Sequence, residues 1–318
     1  MLKSGIMKIR VGHLSTFYHT AMLLIASAAE GTGLPGDLEW DLFATGPDIV
    51  NAFRHRLLDI AYIGLPPAII GMDRGVKIKC VSGGHIEGTV LSGGKEFKAY
   101  PGVPGLREAL EQFKSKKIGV PGRGSIHDVV LSDALSRYGL VGSIEVINFK
   151  WADAITEAVS KNQIQAALGT PALAVAIKRY TEGQVLCPPH LIWPGNPSYG
   201  IVASEEFIES RPDALETFLR VHEEASAELR ENPAQCARKI SAYTGLVDKE
   251  FVLEAINMSP KYCAQLTENY MTVTMDFASA LKKLGYIGGG KEKDLSRQDI
   301  FETGFIKKVH PAGDHYGG

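Results

Sequence analysis

Through its first two hundred residues the chain alternates strand-length apolar runs with helix-length segments, and it does so in two successive blocks. Ile9 and Val11 alternate with charged neighbours, and Leu38, Trp40 and Leu42 alternate with Glu39, Asp41 and Phe43, the period of a half-buried strand. Residues 59–63, 78–82 and 89–92 read as further strands. Between them fall helices over 20–30, stopped by Gly31, and 47–56, opened by Pro47 because proline suits a first helical turn. A Gly/Pro-rich stretch over 93–105 reads as an interlobe connection or flap. The second block then repeats the grammar, with helices over 106–114, 126–138 and 152–161, another after Pro171, and strands over 117–120, 143–148 and 166–168. Such alternation predicts parallel sheets with helices packed on them. From Tyr199 the character changes: one more strand over 199–203, then helices over 211–230, 233–243, 248–257 and 267–284. The expected class is α/β in two lobes, which suits a chain of 318 residues.

Composition narrows the function classes. A 45% hydrophobic chain has enough apolar material for a sizeable core and is unlike disordered or collagen-like sequences. Thirty-four basic against 36 acidic residues leave no basic footprint for nucleic acid. Cys80, Cys187, Cys236 and Cys263 stand far apart without a C-x-x-C pair, so no zinc motif or disulfide scaffold is evident. No apolar run approaches the roughly 20 residues of a bilayer span. Residues 1–8 carry lysines but no apolar leader core. The expectation is a periplasmic or membrane-surface location if a leader was removed, and a cytoplasmic one if the sequence is native as it stands.

Ligands of open α/β sheets collect outside the carboxyl ends of strands. That rule nominates the loop after the first strand, where Ser15, Thr16, Phe17, Tyr18 and His19 offer hydroxyls, an imidazole and aromatic surface. Capping of a helix by Ser15 or Thr16, and core filling by Phe17, account for the same residues equally well. Gly64, Leu65 and Pro66 follow another strand, where glycine permits close approach and proline fixes the backbone; a rigid turn is the plainer reading. Arg123, Gly124 and Ser125 form a Gly-rich turn into a helix, with Ser125 and Asp128 at capping-box spacing. Unsatisfied N–H groups there point at an anion, and Arg123 adds positive charge. Thr170 opens a helix after a strand in the same way, and Trp151 stands where it can stack on a flat ligand.

Catalytic patterns are sparse. Neither G-x-S-x-G nor H-E-x-x-H occurs. His310, Asp314 and His315 have ligand chemistry, but a glycine-flanked tail preorganises them poorly and reads as solvated. No cofactor and no metal site is expected.

At Gly46–Phe53, at the run from Leu58 through Asp59 and Gly64 to Ala68, at 116–121 and at 199–208, the sequence resembles the type 2 periplasmic-binding-protein superfamily. More narrowly it resembles the branch that binds nitrate, aliphatic sulfonates and the thiamine pyrimidine precursor for ABC importers. The resemblance implies a two-lobed fold with a hinge of two crossings: residues 1–93 and 200–318 in lobe I, the latter mostly helical, and 94–199 in lobe II. It implies a monomeric, non-catalytic binding protein that captures a small polar or anionic ligand, with an ABC permease as partner. His19-Thr20 resembles the pair found in thiamine-pyrimidine binders. Cytosolic relatives that make this pyrimidine carry a lysine and a histidine where this chain has Ile63 and Pro67, and a cysteine-rich segment absent here. A biosynthetic enzyme on the same fold, using His19, His85 or His127, and a ligand sensor remain the alternatives.

Overall fold

The computed structural model describes residues 8–31, 38–289, 294–310 and 313–317. Its strands are β1 (Ile9–Leu14), β2 (Leu38–Phe43), β3 (Ile60–Ile63), β4 (Ile78–Ile86), β5 (Val90–Gly93), β6 (Lys117–Pro121), β7 (Glu145–Phe149), β8 (Ala166–Gly169), β9 (Gln184–Cys187) and β10 (Pro197–Ser204). They form two five-stranded sheets, in the orders β2-β1-β3-β10-β4 and β7-β6-β8-β5-β9. The two orders share one logic. In each, a strand that pairs in parallel with two neighbours (β1, β6) lies beside a third, and the next strand runs antiparallel to both of its own neighbours. That reversed strand, β10 or β5, is where the chain arrives from the other sheet.

Two crossings therefore join the lobes: residues 87–89 and 188–196. Sequence reading put the first boundary after residue 93, but β5 pairs with β8 and β9 in the second sheet. It put the second after 199, but β10 already starts at Pro197 in the first sheet. Glycine and proline mark turns, not sheet membership, and pairing partners far along the chain decide the latter. The 93–105 stretch is likewise no flap. Phe97 and Val103 are buried with Phe113, and the Tyr100 N–H donates to the Leu186 carbonyl on β9 at 2.9 Å.

The helices are α1 (Thr20–Ala29), α2 (Gly46–Arg54), α3 (Leu65–Asp73), α4 (Leu106–Glu111), α5 (Ile126–Arg137), α6 (Ala152–Ser160), α7 (Pro171–Tyr180), α8 (Pro189–Ile192), α9 (Glu205–Ser210), α10 (Pro212–Glu231), α11 (Pro233–Thr244), α12 (Lys249–Met258), α13 (Glu268–Lys283), α14 (Arg297–Ile300) and α15 (Gly304–Val309). Among the described residues no helix is long and apolar enough to cross a membrane. Helix α1 is apolar on nearly every side because it is covered, packing against α10 and α11 as well as the first sheet. The expected turn at Gly64–Pro67 is the first turn of α3 instead. Gly64 is its N-cap and the two prolines occupy positions that need no intrahelical N–H.

The lobes are closed on one another. Core side chains of α3 (Ile69, Ile70) and of α5 (Ile126, Val129) belong to one continuous cluster. On one flank the Tyr286 hydroxyl, just beyond α13, donates to the buried Asp128 carboxylate of α5 at 2.6 Å. On the other, Arg179 of α7 pairs with Asp248, the N-cap of α12, at 2.9 Å, and Lys178 pairs with Glu254.

Candidate functional site

Between the sheets, outside the carboxyl ends of their parallel strands, lies a cavity of about 90 Å³. Lobe I contributes Ser15, Thr16, Tyr18 and His19 after β1, Thr45 and Gly46 after β2, Gly64 and Pro67 after β3, and Ser198 on β10. Lobe II contributes Ser125 to His127 after β6, Lys150 and Trp151 after β7, and Thr170 after β8. Six helices begin on this cavity: His19, Thr45, Gly64, Ser125, Trp151 and Thr170 are the N-caps of α1, α2, α3, α5, α6 and α7. Their unpaired first-turn N–H groups and positive dipole ends converge on one small volume. Three of the caps are already spent inwardly. Thr45, Ser125 and Thr170 accept from Asp48, Asp128 and Leu173 N–H at 3.3, 3.3 and 3.1 Å. Their side chains hold the helix starts in place, which leaves backbone groups to face a ligand.

His19, like Gly64 and Trp151, makes no side-chain cap bond. Its ring lies 3.9 Å from the Tyr199 ring and edge-on to Tyr18 at 4.7 Å. It is 3% exposed, and its Nδ1 has no hydrogen-bond partner. A buried imidazole nitrogen left without a partner costs roughly 1–3 kcal/mol, so a group brought to it recovers that energy on binding. Burial holds the His19 pKa well below the ordinary value, and His85, His13 and His127 push in the same direction. The ring is therefore neutral at pH 7. His127, on the lobe II wall, meets Thr89 of the first crossing through Nδ1 at 3.1 Å, and burial pushes its pKa down to about 3. The fixed cation of the lining is Lys150, which is exposed at the rim with Trp151.

The residues nominated by sequence divide accordingly. Ser15, Thr16, Tyr18, His19, Gly64, Ser125 and Thr170 line the cavity. Phe17 turns away and packs edge-on against Phe251 at 6.0 Å. Leu65 and Pro66 are buried in the α3 packing. Arg123 and Gly124 line a separate groove with Arg54, Arg74 and Tyr286, because the Asp128 carboxylate draws the Gly124 N–H at 2.8 Å and turns the loop outward. Among the lining residues missed are Thr45, Gly46, Lys150 and Ser198. The first three follow β2 and β7, and the strand-end rule applied to those two strands would have found them. Ser198 carries no local signal. It reaches the cavity because the first crossing passes beside it at Gly88, where a Cβ would sit 1.9 Å from Ser198 Oγ.

A larger open groove of about 1250 Å³ lies around Arg10, Asp59 and Glu205. Its Arg10–Asp59 pair is bidentate, at 2.7 and 3.1 Å.

Comparison with known proteins gives a family and a fold. The model of a family described as NMT1-like matches residues 7–243. The search of curated proteins gave no match. Among solved structures, the ligand-binding component of an ABC-type import system from Staphylococcus aureus, with zinc bound, superposes with TM-score 0.77 at 15% identity, covering 96% of this chain and 99% of that one. The periplasmic nitrate-binding protein from Synechocystis PCC 6803 gives 0.76 at 13%, covering 96% and 89%. The alkanesulfonate-binding protein from Xanthomonas axonopodis pv. citri, bound to MOPS, gives 0.74 at 14%, covering 92% and 98%. The fold is the two-lobed α/β periplasmic-binding-protein fold.

Proposed function

The chain belongs to the NMT1-like family, and from that premise we propose that it is a solute-binding protein whose lobes close on one small anionic or strongly polar molecule, for delivery to an ABC-type importer. The observation that carries the reading is the convergence of six helix N-termini on one cavity that His19, a buried ring with an unpartnered Nδ1, also lines. Helix starts favour negative charge, Lys150 adds an exposed cation at the rim, and the neutral His19 ring supplies a directional hydrogen bond. Pro47, Pro66, Pro67 and Pro171 have no N–H, so α2, α3 and α7 add fewer donors, and α5 and α6 carry most of the backbone donation.

A volume near 90 Å³ is far below the roughly 300–1,000 Å³ of drug-sized sites, so the closed cleft suits a ligand of a few heavy atoms. The structural neighbours that bind nitrate and alkanesulfonate define the first compounds to try. Binding without turnover is favoured because the positions that carry lysine and histidine in the pyrimidine-making relatives hold Ile63, buried in the core, and Pro67, which has no titratable group.

Native mass spectrometry of the purified chain, followed by calorimetry with nitrate, a short alkanesulfonate and a neutral heteroaromatic, tests the reading. One small anion should bind at 1:1, and Lys150→Ala and His19→Phe should each weaken it at least tenfold. A neutral cargo, or turnover of the bound molecule, would overturn it.

A further inference from the structure

The C-terminal tail was expected to be solvated; among its described residues Gly313, Asp314, His315 and Gly317 are exposed, but His310 and Tyr316 are buried. Tyr316 is 5% exposed, stacks on Tyr270, and its hydroxyl donates to the Cys263 and Gln265 carbonyls at 2.5 and 3.1 Å. It fills the space over β4 where a Cβ on Gly83 would sit 2.1 Å from its oxygen. His310, at the end of α15, is buried as well, and its carbonyl accepts from Gln265 Nε2 at 2.8 Å. The segment these residues pack on runs beside β4: Cys263 N–H donates to the Gly84 carbonyl, and Gly83 N–H to that of Ala264.

This packing brings three metal-ligating atoms to one point. His310 Nε2 and His315 Nδ1 are 3.2 Å apart, and Cys263 Sγ is 3.6 Å from the first and 4.0 Å from the second. Glu223 of α10 stands beside both rings, its Oε1 3.5 Å from His310 and 4.0 Å from His315. Ligands of a tetrahedral ion with bonds of roughly 2.0–2.3 Å lie about 3.3–3.8 Å from one another; the separations of 3.2, 3.5 and 3.6 Å stand in or beside that range, and the two of 4.0 Å, both to His315, close with a small shift of its half-exposed ring.

We propose that Cys263, His310 and His315 bind a divalent, zinc-like cation, with Glu223 as the carboxylate partner, and that the ion fastens the C-terminal tail to lobe I behind the hinge. A hydrogen bond between the two imidazoles explains their own separation but not why a thiol and a carboxylate converge on them. The donor chemistry is thiolate plus imidazole, which selects zinc over magnesium or calcium. Charge balances too. The thiol gives up its proton on binding, and one thiolate with the Glu223 carboxylate offsets the two positive charges of the ion. The supports a thiolate site needs are present: Gln265 N–H donates to Cys263 Sγ at 3.4 Å, while Ala264 N–H and Arg230 hold Glu223 at 3.0 and 3.2 Å. None of these groups touches the cleft lining, so the site stands or falls apart from the ligand reading.

The test uses the full chain without an affinity tag. After gel filtration with excess zinc, elemental analysis should give one equivalent, and zinc should raise the unfolding temperature in proportion to the logarithm of its concentration. Cobalt(II) should give a thiolate-to-metal charge-transfer band in the near ultraviolet. Cys263→Ser should abolish the band, and His315→Ala, a change at a half-exposed side chain that leaves the core intact, should weaken zinc at least tenfold. His55→Ala, an exposed imidazole elsewhere, should change neither. Less than stoichiometric zinc, no charge-transfer band in the wild-type chain, or a band that survives Cys263→Ser would each overturn the proposal.

Discussion

Acidification should unfold this protein well above the pH at which its carboxylates titrate. Three buried histidines carry the effect. Burial pushes His85 and His222 down to about 4 and His127 to about 3. Burial holds each neutral, against carbonyl partners that favour the charged ring at His222 and His85: His222 Nε2 donates to the Gly83 carbonyl at 3.0 Å while its Nδ1 meets Thr20 Oγ1 at 3.1 Å, His85 Nε2 donates to the Ser259 carbonyl, and His127 meets Thr89. In the unfolded chain all three take up protons as pH falls below about 6.5, whereas the folded chain resists until about pH 4 or lower. Folded-state pKa values below unfolded ones therefore give stability that is complete above about pH 6.5 and lost as pH drops toward 4. At about pH 5 each histidine has cost about 2 kcal/mol, and the three together about 6, a large part of a typical 5–15 kcal/mol total. His13 and His19 shift the same way and add to it. Urea unfolding followed by circular dichroism between about pH 7 and pH 5 should show stability falling at up to about 4 kcal/mol per pH unit, and His127→Gln should lower that slope by about 1.4. Stability that is flat across this interval would refute the neutral, buried state of these rings.

Two further perturbations probe closure and the crossing. Tyr286→Phe removes the hydrogen bond from lobe I to Asp128, a charge-assisted contact worth about 1.5–3 kcal/mol; the closed form should lose population, seen as a larger radius of gyration in solution scattering and faster ligand release, and an unchanged radius and off-rate would show that the lobes are held by other contacts. Gly88→Ala places a methyl against Ser198 at the first crossing, where overpacking costs about 1–3 kcal/mol; it should lower the unfolding temperature and weaken ligand binding, whereas Gly289→Ala, with open space around it, should do neither.

The fold was legible because its grammar is local. Period-two strands such as β2, and helices closed by Gly31, Gly139 or Gly245, announce themselves within a dozen residues. The long C-terminal helices fall within a residue or two of where periodicity puts them. Sheet membership was not legible at β5, since nothing in Val90–Gly93 says that its partners are Ala166–Gly169 and Gln184–Cys187, far downstream. Within the cavity, His19 and Ser125 were legible because they follow strands and open helices. Arg123 was misjudged for a reason outside its own turn. The Asp128 carboxylate takes the Gly124 N–H, Asn148 and Tyr286 together, and that network, with donors from three places in the chain, sets which way the loop faces.

The tail makes the same point from the opposite side. Read alone, His310 and His315 are two imidazoles on a glycine-flanked strand of chain, and weak preorganisation argues against a site. What the reading lacked was Cys263, 47 residues away, and Glu223, on a different helix. Order in that tail comes from Tyr316, whose ring packs on Tyr270 and whose hydroxyl bridges two carbonyls beside β4. A single tyrosine thus anchors a glycine-flanked segment, and it does so through a glycine, Gly83, whose missing side chain is the space it fills. Since β4 runs on through Gly84 and His85 into the first crossing, an ion bound at Cys263 braces the strand from which lobe II hangs, and the stiffness of the hinge becomes a property of residues that never meet the ligand.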